Sequence, residues 1–119
     1  MSAVWVWVEN RGGEIIAVGK EAIEAARMVA DELGEDLVGI VFGHNVADIA
    51  TAAFDLGCDE VIGCDDETLD KTRIEAVGPL LVGQIKEHEP AAFIIGGSTR
   101  GRDVAAWVAA DLDLGVVTD

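Results

Sequence analysis

The chain is poor in cations. Its 119 residues carry 8 lysines and arginines, only 3 of them lysine, against 23 aspartates and glutamates, a formal net charge of −15. Such a surface repels the phosphate backbone of nucleic acids and the headgroups of anionic membranes, so neither is expected as a partner. Cysteine is scarce as well. Cys58 and Cys64 are the only two, too few for a disulfide-stapled secreted scaffold, and they read as reduced thiols in a reducing compartment. The two histidines, His44 and His88, stand far from the cysteines and from each other, so no metal site is expected. No apolar run approaches the roughly 18 residues of a membrane span. The first residues, MSAVWVWVEN, place no basic region ahead of their apolar run and are not arginine-rich. They fit neither a secretory signal nor a transit peptide, and a cytoplasmic, prokaryotic location is expected. Internal repeats, low-complexity stretches and linkers are also missing.

What remains is a regular alternation of elements. Hydrophobic residues make up 50% of the chain, enough for one globular domain with a core. AVWVWVE at 3–9 alternates as a strand, NRGG is a turn, and EIIAV suggests a short strand pairing back as a hairpin. Lys20–Leu33 reads as a helix, with Ala22, Ala26, Val29, Ala30 and Leu33 on one face and Gly34 placed to end it. LVGIVF at 37–42 is apolar on both faces, as a strand buried in a parallel sheet would be. Val46–Leu56 reads as a helix with Ile49, Ala53 and Leu56 inside and Gly57 closing it. EVIG at 60–63 is a third core strand. Ile74, Val77, Leu81 and Ile85 space as a helix that must finish before Pro90. AFIIG at 92–96 is a fourth core strand, and GVVTD begins a fifth. The alternation predicts an α/β fold, a three-layer αβα sandwich on a mostly parallel sheet. Residues 1–119 are expected to form a single domain. Because the sequence stops as the fifth strand begins, that domain is expected to belong to a longer chain.

The stretch IIGGSTRGRDVAAWVAADL at 94–112 holds the candidate site. It follows the fourth strand at its carboxyl end, where ligands bind in such sheets, and it leads into a helical pattern. Gly96, Gly97 and Gly101 permit close backbone approach. Ser98 or Thr99 can cap a helix or bond an oxyanion. Arg100 and Arg102 bring two cations to a helix N-terminus, whose free N–H groups attract anions. The same residues serve structure equally well: Asp103 complements the helix dipole, and either arginine can pair with it or with a partner subunit. The spacing is neither that of a P-loop nor of the dinucleotide glycine fingerprint. An enzyme that activates its substrate with ATP would need a pyrophosphate-binding loop after the first strand. ENRGGE stands there instead, and no nucleophile–base pair is visible, so no catalytic residues are expected.

GGSTRGRDVAAWVAADLDLGVVTD resembles the signature of electron transfer flavoprotein α subunits. The matching residues are Gly96, Gly101, Arg102, Asp103, Ala105, Ala109, Ala110, Leu112, Thr118 and Asp119. VWVWVENRGGEI, AAFDLGCDEVIGCDD and VGPLLVGQIKEHEPAAFIIGG are similar to further segments of the family, so the resemblance covers the whole chain. Ala106 departs from a frequent proline, and Trp107 and Asp111 from frequent arginines. The resemblance implies an adenine-nucleotide hydrolase-like (Rossmann-like) fold and a place at the N-terminus of the α subunit. It implies a heterodimer with a β subunit, whose FAD takes electrons from acyl-CoA or other dehydrogenases and passes them to a quinone reductase or another acceptor. The family's C-terminal domain holds most of the FAD, so none is expected on these 119 residues. The equivalent of the nucleotide site is usually empty in α subunits, which implies that Gly97, Ser98, Thr99, Arg100, Gly101, Arg102 and Asp103 serve the fold or the subunit interface. The alternative is a stand-alone adenine-nucleotide-binding module.

Overall fold

The computed structural model describes residues 3–11, 13–43, 46–65, 74–96 and 116–118. Five strands form one parallel sheet: β1 (Val4–Trp7), β4 (Leu37–Gly43), β5 (Glu60–Asp65), β6 (Ala92–Ile95) and β7 (Val116–Thr118), in the order β5-β4-β1-β6-β7. All four neighbouring pairs are parallel. A two-stranded antiparallel hairpin, β2 (Asn10–Arg11) with β3 (Glu14–Ile15), follows β1 directly. Three helices are described: α1 (Ala17–Leu33), α2 (Val46–Leu56) and α3 (Ile74–His88). None is long and apolar enough to cross a membrane.

The alternation of valine and tryptophan in β1 separates two cores rather than an inside from an outside. Val4, Val6 and Val8 enter one cluster with Ile23, Ala26 and Ala30 of α1 and Ile49 and Ala53 of α2. Trp5 and Trp7 enter the other, with Ile40, Phe42, Phe93 and Leu81 and Ile85 of α3. Each sheet face is therefore covered, which gives the three layers. Burial on both faces is also why β4 reads as an unbroken apolar run. Small residues on the inner side of α1 let it lie close to the sheet, with Ala26 and Ala30 wholly buried.

Element ends follow from local chemistry. Gly34 ends α1 in the left-handed conformation, φ 69°, and the N–H groups of Gly34 and Glu35 return to Asp31 and Ala30. Glu89, at φ 50°, turns the chain out of α3 just before Pro90. Two expectations are corrected. The helix begins at Ala17, not Lys20, so the expected EIIAV strand contracts to Glu14–Ile15. Leu33 does not lie on the inner face; it is 55% exposed, in the last turn of the helix before Gly34.

Candidate functional site

The carboxyl ends of β1 and β6 are adjacent at the sheet centre, with β4 and β5 on one side and β7 on the other. The chain order reverses between β1 and β6, and a crevice at this switch point is where ligands bind in open parallel sheets. On the β1 side the protein's own hairpin occupies the ground. Glu9 and Asn10 are both buried, at 3% and 8% exposed. The Asn10 amide nitrogen donates to the carbonyls of Val8 and Phe42, each at 3.2 Å, and so ties the end of β1 to the end of β4. Gly43 makes room for it: a Cβ there would stand 2.9 Å from Asn10 Oδ1.

The start of α1 is drawn onto the same turn. The Ile16 N–H donates to the Glu9 carbonyl at 3.2 Å, and a Cβ on Gly19 would meet that carbonyl oxygen at 2.6 Å. Gly19 is thus a packing requirement within the first helical turns. Ile16 caps the helix without a side-chain hydrogen bond, and its first turn holds no acidic residue. The Ile16 N–H bond to Glu9 anchors the residue ahead of the helix to the end of β1.

Gly96, at the end of β6, has a related explanation. A Cβ there would collide with Val18 Cγ1 and stand 3.2 Å from the Val18 carbonyl. The close approach that this glycine permits is that of α1 itself. Beside it lies a pocket of about 130 Å³, lined among the described residues by Val18, Glu21, Ala22, Ala25, Ile94 and Ile95 with Gly96. Its only charged described wall residue is a carboxylate, Glu21, which is the wrong sign for a phosphate. Gly97, Ser98, Thr99, Arg100, Gly101, Arg102 and Asp103 lie outside the described residues, as does His44. The structure brings Glu9, Asn10, Gly19, Gly43 and Gly96 together at this end of the sheet. Of these, Gly96 alone belongs to the stretch that the sequence marks as a candidate site.

Cys58 and His88 sit elsewhere. Cys58 is buried, its Sγ close against Gly39, and burial pushes its thiol up to about 11, so it is not a thiolate nucleophile at neutral pH. His88 stands at the opposite end of the sheet, its ring 5.6 Å from that of Trp5 and tilted by 51°. Among the described residues no group of three or more His, Cys, Asp or Glu side chains is placed to hold a metal ion.

Comparison with known proteins agrees with this geometry. The universal stress protein from Archaeoglobus fulgidus, solved in complex with dAMP, superposes with a TM-score of 0.67 at 15% identity, covering 99% of this chain and 97% of that one. A universal stress protein solved with cAMP gives 0.64 at 17% identity. These likenesses establish the adenine-nucleotide hydrolase-like fold. In sequence, an acryloyl-CoA reductase electron transfer subunit beta from Anaerotignum propionicum is 37% identical over 116 residues, 98% of this chain and 32% of that protein. An electron transfer flavoprotein subunit alpha from Bacillus subtilis is 32% identical over 111 residues, 93% of this chain and 34% of that protein. The chain thus spans about a third of the length of these relatives. The family model described as the electron transfer flavoprotein domain matches residues 4–119, and the chain belongs to the electron transfer flavoprotein family.

Proposed function

We propose that this chain is the N-terminal scaffold and subunit-contact domain of an electron transfer flavoprotein α subunit. With a β subunit, the complete protein carries electrons on FAD from acyl-CoA or other dehydrogenases to a quinone reductase or another acceptor in a prokaryotic cytoplasm. This domain contributes no catalytic group and holds no flavin of its own. One observation carries the scaffold reading: the space after β1, where a sheet of this kind would seat a phosphate, is taken by the protein itself. The Glu9 carbonyl lies close against Gly19, and the buried Asn10 amide bridges the Val8 and Phe42 carbonyls there. In this reading Asp103 stabilises a helix start, and Arg102 pairs with a carboxylate of the β subunit.

The test is flavin retention. The purified chain is incubated with excess FAD, freed of unbound ligand and examined by visible absorption. No flavin absorption band in the visible is expected. A stoichiometric band would place the cofactor on this domain and overturn the reading.

A further inference from the structure

A second concavity lies at the other end of the sheet, beneath the amino ends of β1, β4 and β5, with a volume of about 560 Å³. Its apolar wall is Trp5, Val38 and Ile62, and its rim carries Glu35, Asp36 and Glu60. The hydrophobic floor is half of an ordinary ligand pocket; the rim is entirely acidic apart from His88, and no lysine or arginine is among the described lining residues. The arginine nearest in sequence to the rim residues Glu35 and Asp36 is not free to neutralise them. Arg27 is held by Asp31 and by Asp59, at 2.8 and 2.9 Å. The carboxylates of Glu35, Asp36 and Glu60 make no ion pair and no side-chain hydrogen bond with any described residue.

We propose that this pocket docks a basic side chain, an arginine or a lysine, presented by a protein partner. Charge complementarity selects the occupant: three carboxylates with no partner among the described residues stand beside an apolar lining. A cation on an aliphatic stem satisfies both, its stem against the partly exposed Ala3 and Ile62 and its head toward the carboxylates. Arginine suits the site better than lysine, since its guanidinium is weakly hydrated and its planar fork can engage two carboxylates at once. The pocket is remote from the switch-point crevice, so docking here is independent of whether that crevice ever holds a nucleotide.

The test uses the full 119-residue chain, labelled with nitrogen-15, titrated with N-acetyl-arginine amide and separately with its neutral near-isostere, N-acetyl-citrulline amide. The assigned indole N–H resonance of Trp5 and the backbone resonances of Val38 and Glu60 are followed. The arginine probe is expected to shift them saturably and the citrulline probe to bind at least ten-fold more weakly. The double variant Asp36→Asn, Glu60→Gln alters exposed carboxylates and keeps the backbone Asp36 carbonyl that holds the Val4 N–H. It should weaken arginine binding at least five-fold while leaving the rest of the spectrum in place. Equal binding of the two probes, unchanged affinity in the double variant, or the absence of saturable shifts at these positions would overturn the proposal.

Discussion

Asn10 shows how one residue can hold the end of the sheet together. Its amide donates to two carbonyls from different strands, Val8 and Phe42, and its side chain is buried. A buried amide whose partners are backbone carbonyls has no substitute of equal chemistry. Asn10→Ala leaves both carbonyls without that donor and is expected to cost about 1–3 kcal/mol. Asn10→Asp should cost more, because it sets a carboxylate against two carbonyl oxygens, and the loss should shrink when the acid is protonated at low pH. Chemical denaturation of the two variants at neutral and acidic pH measures both effects. Asp equal to or more stable than Ala at neutral pH would contradict the assignment of Asn10 as a donor between strands.

At the scale of elements, Arg27 joins α1 to the turn that follows α2. Its guanidinium donates to the Gly57 carbonyl at 2.9 Å and to Asp59, while its Nε donates to Asp31 at 3.0 Å. The two acids are not equivalent. Asp59 also accepts the Leu37 N–H at 2.9 Å and so fixes the start of β4, whereas Asp31 is a largely exposed i,i+4 partner. Asp31→Ala is expected to cost about 0.5 kcal/mol or less, and Asp59→Ala about 1–2 kcal/mol, the ion-pair part being screened because Asp59 is itself 44% exposed. The Leu37 N–H first, and Arg27 second, hold the Asp59 carboxyl below its ordinary value of 3.8. Its stabilisation is therefore complete above that ordinary value and is lost as pH falls through the lower, folded-state value. Acid titration of stability should show a shallower loss in Asp59→Asn than in the parent. A parallel course would contradict the role given to Asp59.

Much of this element structure was legible because buried parallel strands leave continuous apolar runs. LVGIVF extends by one residue to β4, and Gly34 and Gly57 stop α1 and α2 where glycine is read as a stop. The start of α1 was not legible, since Ile16 offers no side-chain cap and Gly19 looks like an interruption. Its true function, close approach to the Glu9 carbonyl, is a tertiary contact with no local signature. Leu33 differs in another way: its spacing fits the inner face, yet as the last residue of α1 it is left exposed. Gly96 was found as a glycine that permits close approach, while what approaches it, Val18, became visible only in three dimensions.

The molecule as a whole is dominated by its charge. At −15 over 119 residues, self-repulsion opposes the compact state, and few cations are available to offset it. Raising salt to about 1 M shortens the screening length to roughly 3 Å. The midpoint of thermal unfolding is therefore expected to rise with sodium chloride. A midpoint that stays flat or falls between low and high salt would show that the acidic surface is not a net burden on the fold.

The same scale sets the central question, whether a fold shared with proteins solved around dAMP and cAMP still serves a nucleotide in this chain. The β1 end is filled by backbone and by buried Glu9 and Asn10, and the neighbouring described pocket presents a carboxylate rather than a cation. Calorimetric titration of the chain with AMP and ATP decides between scaffold and nucleotide carrier. The scaffold account predicts no saturable heat up to millimolar nucleotide, with Arg102→Ala indistinguishable from the parent. Micromolar binding that Arg102→Ala abolishes would contradict it and make the domain a nucleotide-binding module.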